Sequence, residues 1–157
     1  MTQGIILFRF TLVLFLLTYS HLGTAQQSLT WEDLADVTFS EKYDEELQAY
    51  WLIPDFGDKP KSFAGKEVII MGYFIPFNLD DTFYVLSKNP YSACFFCGQA
   101  GPETVMELQV AEPLPDRIKL DQRLFFRGTL ELNKTDFEHC NYILKDARPV
   151  FSDINDD

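Results

Sequence analysis

The sequence predicts a small, mainly β domain: a five-stranded barrel of the oligonucleotide/oligosaccharide-binding (OB) type with a short helical N-terminal extension. Three observations predict it. Five strand-like segments follow one another between residues 66 and 151. The gaps between them leave no room for the crossover helices that parallel α/β folds require. The first segment also carries Gly72 near its middle, where the absence of a Cβ lets a strand bend. Closure into a barrel removes exposed edges and suits five strands of this length. A small β-sandwich is the alternative architecture.

Residues 1–25 read as a secretory signal peptide. An apolar run, IILFRFTLVLFLLTY, is followed by SHLGTA, with Gly23 and Ala25 at the third and first positions before a cut. Residues 26–64 read as an extension that packs on the core. Thr30 can cap a short helical turn over WEDL with Asp33 at its third position. Val37 and Phe39 alternate like a strand, whereas EKYDEELQAYW reads as a short acidic helix. Pro54, Gly57 and Pro60 then make an extended or turning connector. Trp51, Leu52, Ile53 and Phe56 are expected to fold that connector back over the core.

Residues 65–151 read as the OB-like domain. In KEVIIMGYFIPF, Val68, Ile70, Gly72 and Phe74 share one face, and Ile69, Met71, Tyr73 and Ile75 the other. Both faces are apolar, so the barrel interior takes one and the N-terminal segment is expected to cover the other. Residues 78–81 form a turn before strand TFYVLS. Strand TVMELQVAE, the proline-rich connector PLPDRIKLD, strand QRLFFRGTLEL, loop NKTDFEHC and strand NYILKDARPVF complete the order. Residues 152–157 form an acidic tail.

Charge excludes whole classes of function. The chain holds 13 Lys+Arg against 24 Asp+Glu, a formal net charge of -11. Removing residues 1–25, whose one charged side chain is Arg9, leaves -12. Such a surface cannot replace phosphate counterions, so no nucleic-acid partner is expected. It is equally unsuited to anionic lipid. With 46% hydrophobic and 15% aromatic residues, the chain is no disordered acidic tail. Export places the mature protein in the periplasm or outside the cell, not integral to the membrane.

The segment NPYSACFFCGQAGPETV carries the most chemical information. Cys94 and Cys97 can meet across two residues, Gly98 and Gly101 supply backbone freedom, and Pro102 can open a short turn with Glu103 in it. Three readings stand. The first is a structural Cys94–Cys97 disulfide, whose short loop would stabilise local shape rather than the whole fold, or merely a tight loop. The second is a metal site, with zinc as the candidate ion and Cys94, Cys97, Cys140, His139 and Glu103 as candidate ligands. His139 and Cys140 are adjacent, so both can reach one ion only where the strand is irregular. The third is thiol redox chemistry, which needs a lowered thiol pKa that no nearby helix or cation supplies.

His139, the lone histidine of the mature chain, reads as a surface or hydrogen-bonded residue. Cys140 shares the periodicity of Tyr142 and Leu144 and reads as buried. Glu103 and Glu107 do not form a paired-carboxylate device. Asn133-Lys134-Thr135 has the form of a glycosylation acceptor. Catalytic residues cannot be named from these motifs.

Gly65 to Pro76 and Cys94 to Glu103 carry a resemblance. The chain resembles an uncharacterised family of small exported bacterial proteins of Bacteroidetes-like genomes, with a GKxVxIxGYxxP strand and a CFFCGxAGPE loop. The likeness covers most of residues 31 to 148, with Gln99 where the family commonly has Gly. It implies export, an OB-like β core and no assigned activity. Broader relatives that lack the cysteine pair stand near transporter components, which implies an envelope protein or transporter component as partner. The expectation is therefore an exported accessory or binding protein, more in keeping with a non-enzyme. The alternative is a thiol-redox or metal-binding protein using Cys94, Cys97 and Cys140.

Overall fold

The computed structural model describes residues 27–45, 48–77, 83–98 and 100–151. The segments expected to be a signal peptide (1–25), a turn (78–81) and an acidic tail (152–157) lie outside the described residues. The elements are β1 (Gln27–Ser28), α1 (Trp31–Leu34), β2 (Val37–Asp44), β3 (Ala49–Phe56), α2 (Asp58–Phe63), β4 (Glu67–Pro76), β5 (Tyr84–Ser87), β6 (Val105–Val110), β7 (Arg123–Leu132) and β8 (Tyr142–Val150). None of the helices among the described residues is long and apolar enough to cross a membrane.

The five strands β4 to β8 close into a barrel in the order β4-β5-β6-β8-β7, with β7 returning to β4. β6 and β8 run parallel and the other barrel pairs antiparallel, the OB arrangement. That closure rules out the sandwich alternative. β4 makes it possible by pairing with β7 over Glu67–Tyr73 and with β5 over Tyr73–Pro76. Gly72 sits where the two pairings meet. A Cβ there would stand 2.7 Å from both the Leu86 side chain and the Ser87 carbonyl oxygen, so only glycine allows the approach.

Alternation along the strands sorts side chains into an inner and an outer set. Val68, Ile70, Leu86, Met106, Phe126 and Leu130 are at most 1% exposed and fill the barrel. Each such side chain contributes about 1.5–3 kcal/mol on burial. On the outer face, Ile69, Met71 and Tyr73 are half-buried beside the N-terminal extension. There β1 pairs in parallel with β4, the Leu29 amide donates to the Ile69 carbonyl (2.9 Å), and the Trp31 indole donates to the Met71 carbonyl (2.7 Å). Ile75 lies further along the same face and is covered by the cysteine loop instead.

α1 opens with the expected cap. The Thr30 hydroxyl accepts from the Asp33 amide, and the Asp33 carboxylate accepts from the Thr30 amide. The Thr30 hydroxyl's own bond to that carboxylate (2.7 Å) is the leading cause holding the Asp33 carboxyl below its ordinary range. The far end of the turn is fixed to the barrel by the buried Tyr142, whose phenol donates to the Leu34 carbonyl (2.6 Å). Burial first, then the charges of Glu103 and Asp36, push that phenol above its ordinary value.

Two sequence expectations need correction. The acidic helix expected over 41–51 is a hairpin, with Tyr43 opposite Tyr50 and Val37 opposite Phe56. Period-two burial wins there: Ala49, Trp51 and Ile53 are half-buried while Tyr50 and Leu52 are exposed. The rings of Tyr43 and Tyr50, 5.0 Å apart, add a cross-strand pair that no helix would make. The connector after it contains α2, because Pro60 falls within the first turn, where a missing N–H costs nothing. Asp36 fastens that turn, its carboxylate accepting from the Lys59 amide (3.0 Å).

Candidate functional site

The site lies on the outer face at the end of the barrel where β4, β5 and β6 run side by side. Ile75 pairs with Val85, Val85 with Glu107, and Glu107 with Ile143, so one outward row crosses four strands. Ile75, Val85 and Val105 form a second apolar cluster with Cys94, against which Phe83, Phe95 and Cys140 pack. The loop between β5 and β6 folds over this face through 3₁₀ turns at Tyr91–Ala93, Phe95–Cys97 and Pro102–Thr104. Gly98, at φ 73°, ends the second turn in the left-handed region.

The cysteine pair does not form the expected disulfide; all three cysteines are free thiols. Its two members face different surroundings. Cys94 is fully buried in the apolar cluster, whereas Cys97 is exposed and its thiol donates to the Tyr91 carbonyl at 3.3 Å. Desolvation, then a hydrogen bond with Cys94, raises the Cys97 thiol above its ordinary value. Burial, then the neighbouring Glu107 charge, pushes the Cys140 thiol up to about 12. Both shifts disfavour the thiolate, the form that nucleophilic and redox chemistry uses.

The five candidate zinc ligands do not assemble either. Among the described residues, no three His, Cys, Asp or Glu side chains gather to hold an ion. The Glu103 carboxylate lies against Gly101, and the His139 ring turns to Glu107 instead of the cysteines. The buried Glu107 carboxylate engages the one imidazole among the described residues.

Glu107 is the polar centre of the face. Its side chain is 5% exposed, and the His139 Nδ1 sits 3.0 and 2.9 Å from its two oxygens. The Gln109 side-chain amide (2.9 Å) and the Cys140 backbone amide (3.3 Å) also donate to it. A carboxylate only accepts, so the neutral imidazole carries its proton on Nδ1 and leaves the lone pair on Nε2. The His139 side chain is 39% exposed, and its Nε2 has no hydrogen-bond partner among the described residues.

Asn133 shapes the loop that delivers His139. Its buried side-chain amide donates to the carbonyls of Asp136 (2.6 Å), Cys140 (3.2 Å) and His139 (3.3 Å). Its oxygen accepts from the amides of Thr135 (3.2 Å) and Asp136 (3.0 Å). The nitrogen that a glycan would need is therefore enclosed within the loop. The residue that reads as a glycosylation acceptor is an internal brace.

Loop, hairpin and cysteine turn together enclose a cleft of about 420 Å³. Aromatic side chains line it: Trp51 from β3, Phe77 just after β4, Phe83 just before β5, Phe95 and Phe96 from the cysteine loop, and Phe137 from the Asn133 loop. Trp51 and Phe137 stack with centroids 4.4 Å apart and planes at 19°. Phe77 contacts Phe83 at 5.7 Å and Phe96 at 4.3 Å, and Phe96 contacts Phe95 at 5.4 Å. His139, Cys140 and Asn141 supply polar lining. The indole nitrogen of Trp51 is enclosed without a hydrogen-bond partner. An unmet buried donor beside a cleft is a point at which a bound molecule can gain a hydrogen bond.

The sequence motif thus locates one wall of the site. Cys140 and His139 reach the cleft as lining, whereas Glu103 is not part of it. Phe95 and Phe96 line it, in keeping with apolar anchoring of the loop. Glu107, Trp51 and Phe137 were not legible as site residues. The available signal for Glu107 was a single acid in the strand VMELQV, together with His139, the one histidine after residue 21. Compared with family models, curated proteins and solved structures, the chain matches none.

Proposed function

We propose that this protein is an exported, non-catalytic accessory or binding protein that takes a ligand in the aromatic cleft on the outer face of its OB barrel. The observation that carries the reading is the cleft itself: exposed and half-buried aromatic rings gathered around an imidazole fixed by a buried carboxylate. Ligand pockets are concave, mostly apolar and equipped with a few placed polar groups, and this cleft has that composition. Aromatic rings left exposed together on a small soluble domain cost solubility unless they meet something. Phe77, Phe96 and Phe137 are 51%, 40% and 41% exposed at this one end. An envelope protein or transporter component would then be the partner that delivers or receives the ligand, in the periplasm or outside the cell.

The test is an amide-shift survey of the mature protein with a panel of small ring compounds. Binders should move the resonances of Phe77, Phe96, Phe137 and His139 together. Binders that cluster on another surface would contradict the proposal.

A second reading is favoured by the closeness of the two thiols, Cys94 standing near enough to raise the Cys97 thiol. In an oxidising compartment the pair would close reversibly, or the two sulfurs would share a soft ion such as zinc. Thiol counting with metal analysis on protein from its native compartment separates the cases. Three free thiols and no metal support the first reading. One free thiol supports closure, and bound zinc supports the ion.

A further inference from the structure

The cleft's polar groups and the charge around it go beyond a general binding site: they specify the charge of the ligand. At the lining, Glu107 accepts from His139 Nδ1, so in the neutral ring Nε2 is the nitrogen that carries the lone pair. A ligand that meets Nε2 must therefore donate. Asp136 and Glu138 contribute to the same lining. The single lysine there, Lys134, is drawn toward Asp55 of the hairpin, 3.9 Å away. The rings of Trp51, Phe77, Phe96 and Phe137 present electron-rich faces that attract cations. The mature chain's charge of -12 adds a field that concentrates cations and repels anions.

We infer that the cleft selects a flat, positively charged organic ligand with N–H donors, an amidinium or ammonium group carried on a ring. The cationic N–H groups donate to His139 Nε2, the carboxylates of Asp136 and Glu138 neutralise the charge, and the ring lies among the aromatic side chains. A neutral ring amide keeps an N–H donor and the aromatic contact but not the charge neutralisation, and anionic rings lose more to repulsion than they gain. This rests on the cleft being the ligand site.

Three ring compounds of one shape test it: benzamidinium, benzamide and benzoate, titrated separately into the mature protein. The readout is the indole N–H resonance of Trp51 together with the amides of Phe137 and His139. Benzamidinium should bind about tenfold more tightly than benzamide, equivalent to about 1.4 kcal/mol, and benzoate should leave the cleft unmoved. Replacing Asp136→Asn together with Glu138→Gln keeps side-chain shape; it should shrink that preference by weakening benzamidinium more than benzamide. Benzamide or benzoate binding in the cleft as tightly as benzamidinium would overturn the cationic class while leaving the cleft as a binding site. If none of the three moves the cleft resonances, both readings fall.

Discussion

The interior of the barrel and its cleft end are built from the same strands by different rules. Phe126, Leu130 and Leu144, fully buried in the interior, are held by apolar packing against strands that alternate regularly. One residue away in register, on the outer face, Glu107 is almost equally buried but is held by hydrogen bonds from Gln109, His139 and Cys140. Apolar burial accounts for the fold. The polar contacts of Glu107 account for the position of one imidazole, which the fold does not need. A buried carboxylate is costly unless it is paired, so its presence beside a cleft points to a site rather than to stability.

Substitutions can break this contrast in graded steps. Ile70→Asp places an unpaired charge in the barrel, where the side chain is 1% exposed, and should abolish cooperative unfolding followed by circular dichroism. A retained sigmoidal transition would count against the packing described for the interior. Glu107→Ala should cost about 1–3 kcal/mol in urea denaturation. Its hydrogen-exchange signature should be confined to residues 133–141, with β4 and β7 unchanged. Exchange that rises throughout the barrel would merge the two regions into one.

Alkaline pH sharpens the comparison further. The Cys140 thiol has a folded-state value raised to about 12. It therefore favours the folded state below the ordinary cysteine value of about 8.5, and that contribution fades as pH rises toward the folded value. Alkylation near neutral pH should label Cys97 and spare Cys94 and Cys140 until the chain unfolds. Prompt labelling of Cys140 would show that the outer face is not packed as described. Thr30→Ala removes the α1 cap and should cost about 1 kcal/mol, read as a shift of the urea midpoint. Cys97→Ser, at an exposed position, should change stability by less than about 0.5 kcal/mol.

The barrel was legible because its signals are local. Alternation around Val68–Phe74, the Gly72 bend and the proline-rich connector each follow from a few neighbouring residues. The hairpin was misread because DEELQA has helical character and strand pairing between Tyr43 and Tyr50 is visible only across the turn. The cysteine motif marked the loop that walls the cleft but not the different surroundings of its two thiols, since two cysteines close in sequence can face apolar core and solvent separately. The Glu107–His139 pair spans 32 residues and two elements, and no spacing rule connects them. The placement of Glu107 on the outer face under another loop follows from strand pairing and loop packing together, which no single segment displays.

The account rests on Glu107 fixing the His139 imidazole so that one nitrogen is left for the cleft. Nitrogen-15 correlation spectra of the ring, recorded near pH 8.5 where an ordinary histidine is neutral, read this directly. The expected result is a proton held on Nδ1 and an unprotonated Nε2, with Glu107→Ala returning the ring to a mixture of both tautomers. A wild-type ring already averaging between the two forms would contradict it.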